Sequence, residues 1–143
     1  MLENMKKGVF LSPAREKEVG DKYHKELRIR ALGSETIADT LSGGNQQKVV
    51  IAKQLAASSK IIILDEPTKG VDVGSKAQIY EIMAELAAQG IAVLMISSEM
   101  PEVMNMSDRI YVMSEGHMRA EFDAKGLTQN EILAAAMPQE RGN

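Results

Sequence analysis

Leu64-Asp65-Glu66-Pro67 closes an apolar run, Ile61-Ile62-Ile63. Acids at the carboxyl end of a buried parallel strand lie where such sheets bind ligands. Two adjacent carboxylates there can divide labour. Asp65 is suited to hold Mg²⁺ through a water, because hard cations prefer oxygen ligands. Glu66 is suited to polarise or deprotonate a water for attack on a γ-phosphate. The plainer reading is an N-cap acid beside a solvated neighbour, and four residues alone do not separate the two. A second stretch, Leu41-Ser42-Gly43-Gly44-Asn45-Gln46-Gln47, has the chemistry of an anion site. Paired glycines let a backbone approach a ligand without Cβ interference. A helix starting there aims unbonded N–H groups and the positive end of its dipole outward. A capped helix start with two glycines explains the same residues. The strength of such a turn is bounded. A helix terminus contributes roughly 0.3–2 kcal/mol toward an anion, whereas millimolar binding needs about 4 kcal/mol. The turn alone therefore cannot hold a nucleotide; it could only complete a site that something else begins.

The elements that must position these residues follow from pattern. Ser12-Pro13 reads as a helix start, after an irregular lead-in over 1–13. A helix is expected over Ala14–Ile29, with Val19, Tyr23 and Leu27 as a narrow apolar stripe. Ala31–Thr40 reads as a loop or short turn. Ser42 is expected to cap a helix from about Gly44 to Ala57. Lys60–Asp65 is expected as a strand buried on both faces, because its apolar run is continuous rather than alternating. Ile79, Ile82, Met83 and Leu86 mark a helix over Gly74–Ala88 that Gly90 ends. Ile91–Ile96 is expected as a second fully buried strand, followed by a short helix at Pro101–Met106. Strands over Arg109–Met113 and His117–Phe122 flank a tight turn at Gly116. Thr128 and Glu131 form a capping box for a last helix to about Ala136. Strands alternating with helices indicate an α/β layered fold.

With 143 residues the chain suffices for one domain. Lys plus Arg number 17 against 20 Asp plus Glu, so the balance is acidic and argues against nucleic acid held by phosphate contacts. There is no Cys, which excludes disulfides and thiolate metal sites and suits a reducing cytosol. No apolar run approaches the length of a membrane span, so a membrane role is expected to be peripheral, through a partner. Aromatics are scarce, and the ten Met are expected chiefly to fill an aliphatic core. His24 and His117 read as ordinary surface.

Taken together, LSGGNQQKVVIAKQLAASSKIIILDEPTKGVD resembles the signature-to-D-loop segment of ATP-binding-cassette ATPases. LSGGNQQK is similar to the signature motif, IIILDEP to the Walker B strand, and Gly70-Val71-Asp72 to the D-loop. The wording NQQKV, DEPTKGVDVGSK and ISSEMPEVMNMSDRI resembles the second cassette of the tandem ATPase subunits of bacterial monosaccharide importers, over about residues 15–137. The resemblance implies ATP and Mg²⁺ as ligands. It implies a partner cassette paired head to tail, membrane permease subunits, and indirectly a periplasmic sugar-binding protein. The location implied is the cytoplasmic face of the inner membrane. By analogy Ser42, Gly43, Gly44, Gln46 and Asp72 contact a nucleotide or the cassette interface, Asp65 serves the metal, and Glu66 and Ser98 serve catalysis. Residues 1–58 would then hold part of the helical subdomain and the signature helix, and residues 59–143 the Walker B half of the core. The fold implied is a partial P-loop NTPase, mainly parallel sheet flanked by helices.

Two departures qualify this. No G-x-x-x-x-G-K-[ST] string occurs. Gly70-Val71-Asp72-Val73-Gly74-Ser75-Lys76 comes nearest, but its glycines are one residue too close and Ser-Lys replaces Lys-Ser. The family's glutamine loop and adenine-stacking aromatic would also lie upstream, and Tyr23, expected within a helix, is no substitute. The chain thus reads as a fragment whose own phosphate-loop strand is missing, inert alone and marginally stable or oligomeric. At the switch position Ser98 stands where the family usually carries His, and a hydroxyl cannot carry the proton or charge of an imidazole. A helix N-cap is the simpler role for Ser98. A non-catalytic module that docks on a complete cassette is the alternative function. A DNA-repair or chromosome ATPase is disfavoured by the acidic balance and the DEPTKGVDVGSK wording.

Overall fold

The computed structural model describes residues 6–7 and 10–138. Helices and strands alternate as an α/β chain. The order is β1 (Lys6–Lys7), β2 (Phe10–Leu11), α1 (Pro13–Glu26), a 3-10 turn (Ala38–Thr40) and α2 (Gly43–Ala56). There follow β3 (Ile61–Asp65), α3 (Val73–Ala88), β4 (Ala92–Ile96), α4 (Met100–Met106), β5 (Arg109–Ser114), β6 (His117–Asp123) and α5 (Gln129–Ala136). The lead-in is not wholly irregular, because β1 and β2 pair antiparallel. The chain divides into two compact units, Met1–Ile96 and Ser97–Asn143.

In the first unit β3 and β4 run parallel, from Ile61 opposite Ala92 to Asp65 opposite Ile96. Helix α2 packs against β3, α3 against β4, and α1 against α2. Ile51, Ile62 and Ile79 are fully buried between these layers, with Leu64, Ile82, Met83 and Leu86 close behind. Helix α1 ends at Glu26, three residues earlier than its apolar stripe suggests. Arg28 turns left-handed at φ 51, and the Ile29 N–H reaches back to the His24 carbonyl at 3.0 Å. The Lys48 ammonium donates to the Arg28 carbonyl at 3.2 Å and to Gln78 Oε1 at 2.8 Å, so one buried lysine ties the end of α1 and the start of α3 to α2. Burial holds its pKa below the ordinary lysine value, with Arg30 and Arg28 adding to the effect.

The second unit is built on the β5–β6 hairpin, with a register shift between Val112 and Met113. Glu115 and Gly116 both adopt positive φ, 52° and 76°, as a two-residue hairpin turn of the I′ type requires. Ile110, Val112 and Ile132 form the core, packed by Met100, Val103, Met104 and Phe122. Thr128 and Glu131 make the expected capping box, with the Thr128 N–H 2.8 Å from Glu131 Oε2.

The strands depart from expectation in one respect. β3 alternates, with Ile62 and Leu64 buried while Ile61 and Ile63 stay 63% and 54% exposed. On β4, Leu94 and Ile96 are 46% and 49% exposed. The register places Ile61, Ile63 and Asp65 beside Ala92, Leu94 and Ile96 on one open face. An apolar run as continuous as Ile61–Leu64 suits a strand covered on both sides; here helices cover only one. The pairs β3–β4 and β5–β6 each form a two-stranded sheet. The methionines divide between roles: Met83 is buried, while Met113, Met118 and Met137 are exposed.

Fully burying an aliphatic side chain contributes roughly 1.5–3 kcal/mol, and each of these four half-exposed side chains retains about half of that. The chain is therefore expected to self-associate with rising concentration. Sedimentation equilibrium should show the association weakened by Ile63→Lys, with the far-ultraviolet circular dichroism unchanged. A strictly monomeric chain, or an Ile63→Lys variant that associates as strongly, would contradict this.

Candidate nucleotide site

Helix α2 begins at Gly43 with Ser42 in the N-cap position, extended at φ −61 and ψ 154. Ser42 does not cap the helix with its side chain, contrary to the expectation from sequence. Its Oγ instead accepts from Asn45 Nδ2 at 2.8 Å, and Asn45 Oδ1 accepts from the Arg30 N–H at 2.8 Å. Gln46 Nε2 donates to the Leu41 carbonyl at 3.0 Å, and the Gln46 N–H to the Ser42 carbonyl at 2.9 Å. Side-chain amides thus brace the turn from behind, and Ser42 leaves the leading amides of α2 uncapped. That is the arrangement an anion-binding helix start requires.

The glycines of this turn meet the segment that follows the acidic strand. A Cβ on Gly43 would lie 3.6 Å from the Gly70 carbonyl oxygen. A Cβ on Gly44 would fall 2.4 Å from Ser75 Cβ and 2.7 Å from Ser75 Oγ, which no real side chain tolerates. Gly70 is itself left-handed, at φ +71. Asp72 caps α3, with Oδ1 accepting from the Ser75 N–H at 3.0 Å and Oδ2 from Ser75 Oγ at 2.7 Å. These bonds hold the Asp72 carboxyl below its ordinary pKa, the Ser75 hydroxyl contributing most. The structure therefore joins Ser42, Gly43, Gly44, Gln46 and Asp72 into one locality of the first unit.

Asp65 and Glu66 lie at the carboxyl end of β3. Asp65 is exposed and shares the open face with Ile61 and Ile63. Glu66 is left-handed, at φ 47. A non-glycine residue there costs on the order of 1–3 kcal/mol and clusters at functional sites. Its N–H donates to the Ile96 carbonyl at 2.8 Å, extending the β3–β4 ladder by one residue, and its carbonyl accepts from the Lys69 N–H at 3.1 Å. Pro67 and Thr68 are buried immediately after it. Among the described residues no group of three or more acidic or His side chains could hold a metal. A single exposed carboxylate fits Mg²⁺ that arrives with phosphate oxygens, since Mg²⁺ commonly takes one or two carboxylates plus substrate phosphates.

Ser98 belongs to the second unit and is exposed. It is not the N-cap of α4; Glu99 is, without a side-chain cap bond. The capping-type contact falls to Ser97, whose Oγ accepts from the Glu99 N–H at 3.0 Å and donates to the buried Glu102. Three other residues escaped the sequence reading. Gln54 brackets Ile63, donating to its carbonyl at 2.8 Å and accepting from its N–H at 3.0 Å. Lys48 pins α2, and Ser75 closes on Gly44. No motif marks them; only the i, i+4 spacing of Gly44 and Lys48 along one helix face hints at a shared seam.

Comparison with known proteins accords with this geometry. The ABC transporter family profile matches residues 2–69. The chain is 52% identical over 120 residues to the xylose import ATP-binding protein XylG of Ralstonia nicotianae, covering 84% of this chain and 23% of that protein. It is 50% identical over 135 residues to the ribose import ATP-binding protein RbsA 1 of Rhizobium meliloti, covering 94% of this chain and 27% of that protein. The solved ATP-binding cassette MJ1267 of an ABC transporter superposes with a TM-score of 0.73 at 29% identity, over 93% of this chain and 54% of that one. These matches relate the chain to ATP-binding proteins of the ABC transporter family. Its fold is that of an ATP-binding cassette, a P-loop NTPase fold in part, with β3 and β4 as its parallel strands. The chain spans about a quarter of the length of the curated ABC relatives it matches.

The Asp72 cap gives a pH test. Because the folded-state pKa is depressed, its stabilisation is complete above the ordinary carboxylate pKa and is lost as pH falls through the lower folded value. Asp72→Ala should be less stable than the parent at neutral pH in urea unfolding. The two curves should converge as pH drops below the usual carboxylate range. A gap that stays constant with acidification would contradict the cap.

Proposed function

We propose that this chain supplies the signature turn, Walker B strand and D-loop of an ATP-hydrolysing cassette in a carbohydrate importer. The observation that carries the reading is the 52% identity, over 84% of the chain, to a protein named for xylose import and ATP binding. That span takes in most of the chain, and the braced, uncapped start of α2 and the strained Glu66 supply chemistry of the required kind.

In this reading the Gly43 and Gly44 amides and the Ser42 hydroxyl receive the γ-phosphate of an ATP bound chiefly by another cassette. Gln46 keeps the turn in shape, and Asp72 lies at the contact between the two cassettes. Asp65 and Glu66 serve a second ATP, bound on this chain's own side. The sequence holds no G-x-x-x-x-G-K-[ST] string, so the loop that grips that nucleotide lies in a polypeptide segment outside these 143 residues. Asp65 would hold Mg²⁺ through a water, and the ion would supply charge neutralisation at the phosphates. Glu66 accepts a proton from the attacking water as its oxygen bonds to the γ-phosphorus and the bond to the β-phosphate oxygen breaks, releasing ADP and phosphate. Ser98, at the switch position, offers a hydroxyl to the γ-phosphate. Among the described residues no helix is long and apolar enough to cross a membrane. In this reading permease subunits supply the contact with the bilayer, on its cytoplasmic side. A periplasmic sugar-binding protein would be linked only through those subunits.

ATP turnover tests this. The purified chain alone should be inert, and activity should appear when a segment bearing the phosphate loop is added. Glu66→Gln should then lower turnover by about a hundredfold or more, with the thermal unfolding midpoint little changed. Turnover by the chain alone that Glu66→Gln abolishes would refute the shared-site reading. Full activity of the Glu66→Gln assembly would refute the role of Glu66.

A further inference from the structure

Two turns far apart in sequence meet without a gap. Ser75 Cβ occupies the space where any side chain of residue 44 would begin, 2.4 Å from that position. Val71 Cγ1 closes the adjoining side at 3.4 Å. Ser75 is itself immobilised, since its N–H and Oγ both bond the Asp72 carboxylate, at 3.0 and 2.7 Å. One helical turn further along, the same seam is locked by Lys48 Nζ on Gln78 Oε1 at 2.8 Å. Gly44 to Lys48 is one turn of α2, and Ser75 to Gln78 is nearly one turn of α3. The first turns of the two helices thus abut in register. Gly44 has no positive φ, so no backbone strain demands a glycine there. The demand comes from Ser75.

We propose that Ser75 is a positioning residue for the Ser42–Gly44 turn, and that this turn and the Asp72–Ser75 turn respond as one rigid body. Displacement of either is transmitted to the other through the Gly44–Ser75 contact. The inference rests on the reading of Ser42–Gly44 as a cap on a nucleotide γ-phosphate, and it adds the device that sets that cap's place. Anything that moves Asp72 moves the amides meant for phosphate.

The test compares the 143-residue chain with Gly44→Ala, Ser75→Gly and the double variant. Amide hydrogen exchange is read on both sides of the seam, at Gln46, whose N–H bonds the Ser42 carbonyl at 2.9 Å, and at residue 75. ATP-dependent association with the intact Ralstonia xylose import ATP-binding protein is read alongside, by fluorescence anisotropy. Overpacking by Gly44→Ala should speed exchange at residue 75 and weaken association by roughly tenfold or more. Ser75→Gly in the same chain should restore both most of the way. Ser75→Gly alone, which overpacks nothing and should fold, should speed exchange at Gln46 although α2 is unaltered. The proposal is overturned if Gly44→Ala leaves residue 75 undisturbed, if the double variant is no better than Gly44→Ala, or if Ser75→Gly leaves Gln46 unchanged. If the parent chain shows no ATP-dependent association, the γ-phosphate reading fails, and the exchange results still decide whether the two turns are coupled.

Discussion

The strand Ile61–Asp65 has two edges and two faces, and each must be satisfied for the carboxylates at its end to hold a position. One edge is satisfied by β4, residue for residue. At Ile63 the other edge is met by no strand; the Gln54 side-chain amide supplies both the donor and the acceptor that a neighbouring strand would give. The glutamine that does so sits in the last turn of α2. It also fixes the distance between α2 and β3. One face of the strand is sealed by Ile51 and Ile79 around Ile62, and the other is open. The organisation of the first unit follows from these four boundary conditions.

Strain is concentrated where the chain must change direction. Four non-glycine residues take positive φ: Arg28, Ser58, Glu66 and Glu115. Arg28 is compensated by the Lys48 ammonium on its carbonyl. Glu115 shares a two-residue hairpin turn with Gly116, where positive φ is the rule. Glu66 has no such local excuse in turn chemistry, and a glycine would be the easier residue. Its backbone is held by the Ile96 carbonyl on one side and the Lys69 N–H on the other. One ladder bond and one turn bond together hold the Glu66 backbone at this costly angle.

Much of this was legible in the sequence, for identifiable reasons. Helices α3 and α5 carry strong local signals, apolar spacing in one and a capping box in the other, and both appear within a residue or so of expectation. The hairpin at Gly116 is legible because a positive φ writes itself as glycine. The acidic strand end and the glycine turn are legible as chemistry because their residue types are rare in combination. Three features were not legible. The end of α1 depends on Arg28 adopting a conformation that arginine does not advertise, stabilised by a lysine twenty residues away. The role of Ser42 was misjudged because an N-cap serine normally bonds a backbone N–H, whereas here Asn45 occupies its oxygen. The open face of β3 could not be read because an apolar run reports what a strand is made to bury, not whether anything in these 143 residues buries it.

The same distinction governs the site. The start of α2 contributes roughly 0.3–2 kcal/mol toward an anion, and Asp65 is one exposed carboxylate. Neither approaches the roughly 8 kcal/mol of a micromolar ligand. What the two have in common is rigidity rather than affinity. The glycine turn is locked by Ser75 and braced by Asn45, and Glu66 is locked by β4. Groups that bind weakly but are held stiffly are suited to act on a ligand whose binding energy comes from elsewhere, since preorganised dipoles favour a transition state without reorganising at the moment of reaction. On the function proposed above, a chain built in this way supplies geometry to a nucleotide site. Affinity, on that reading, comes from the segment that carries the phosphate loop, and the close Gly44–Ser75 approach limits how far the turn can shift.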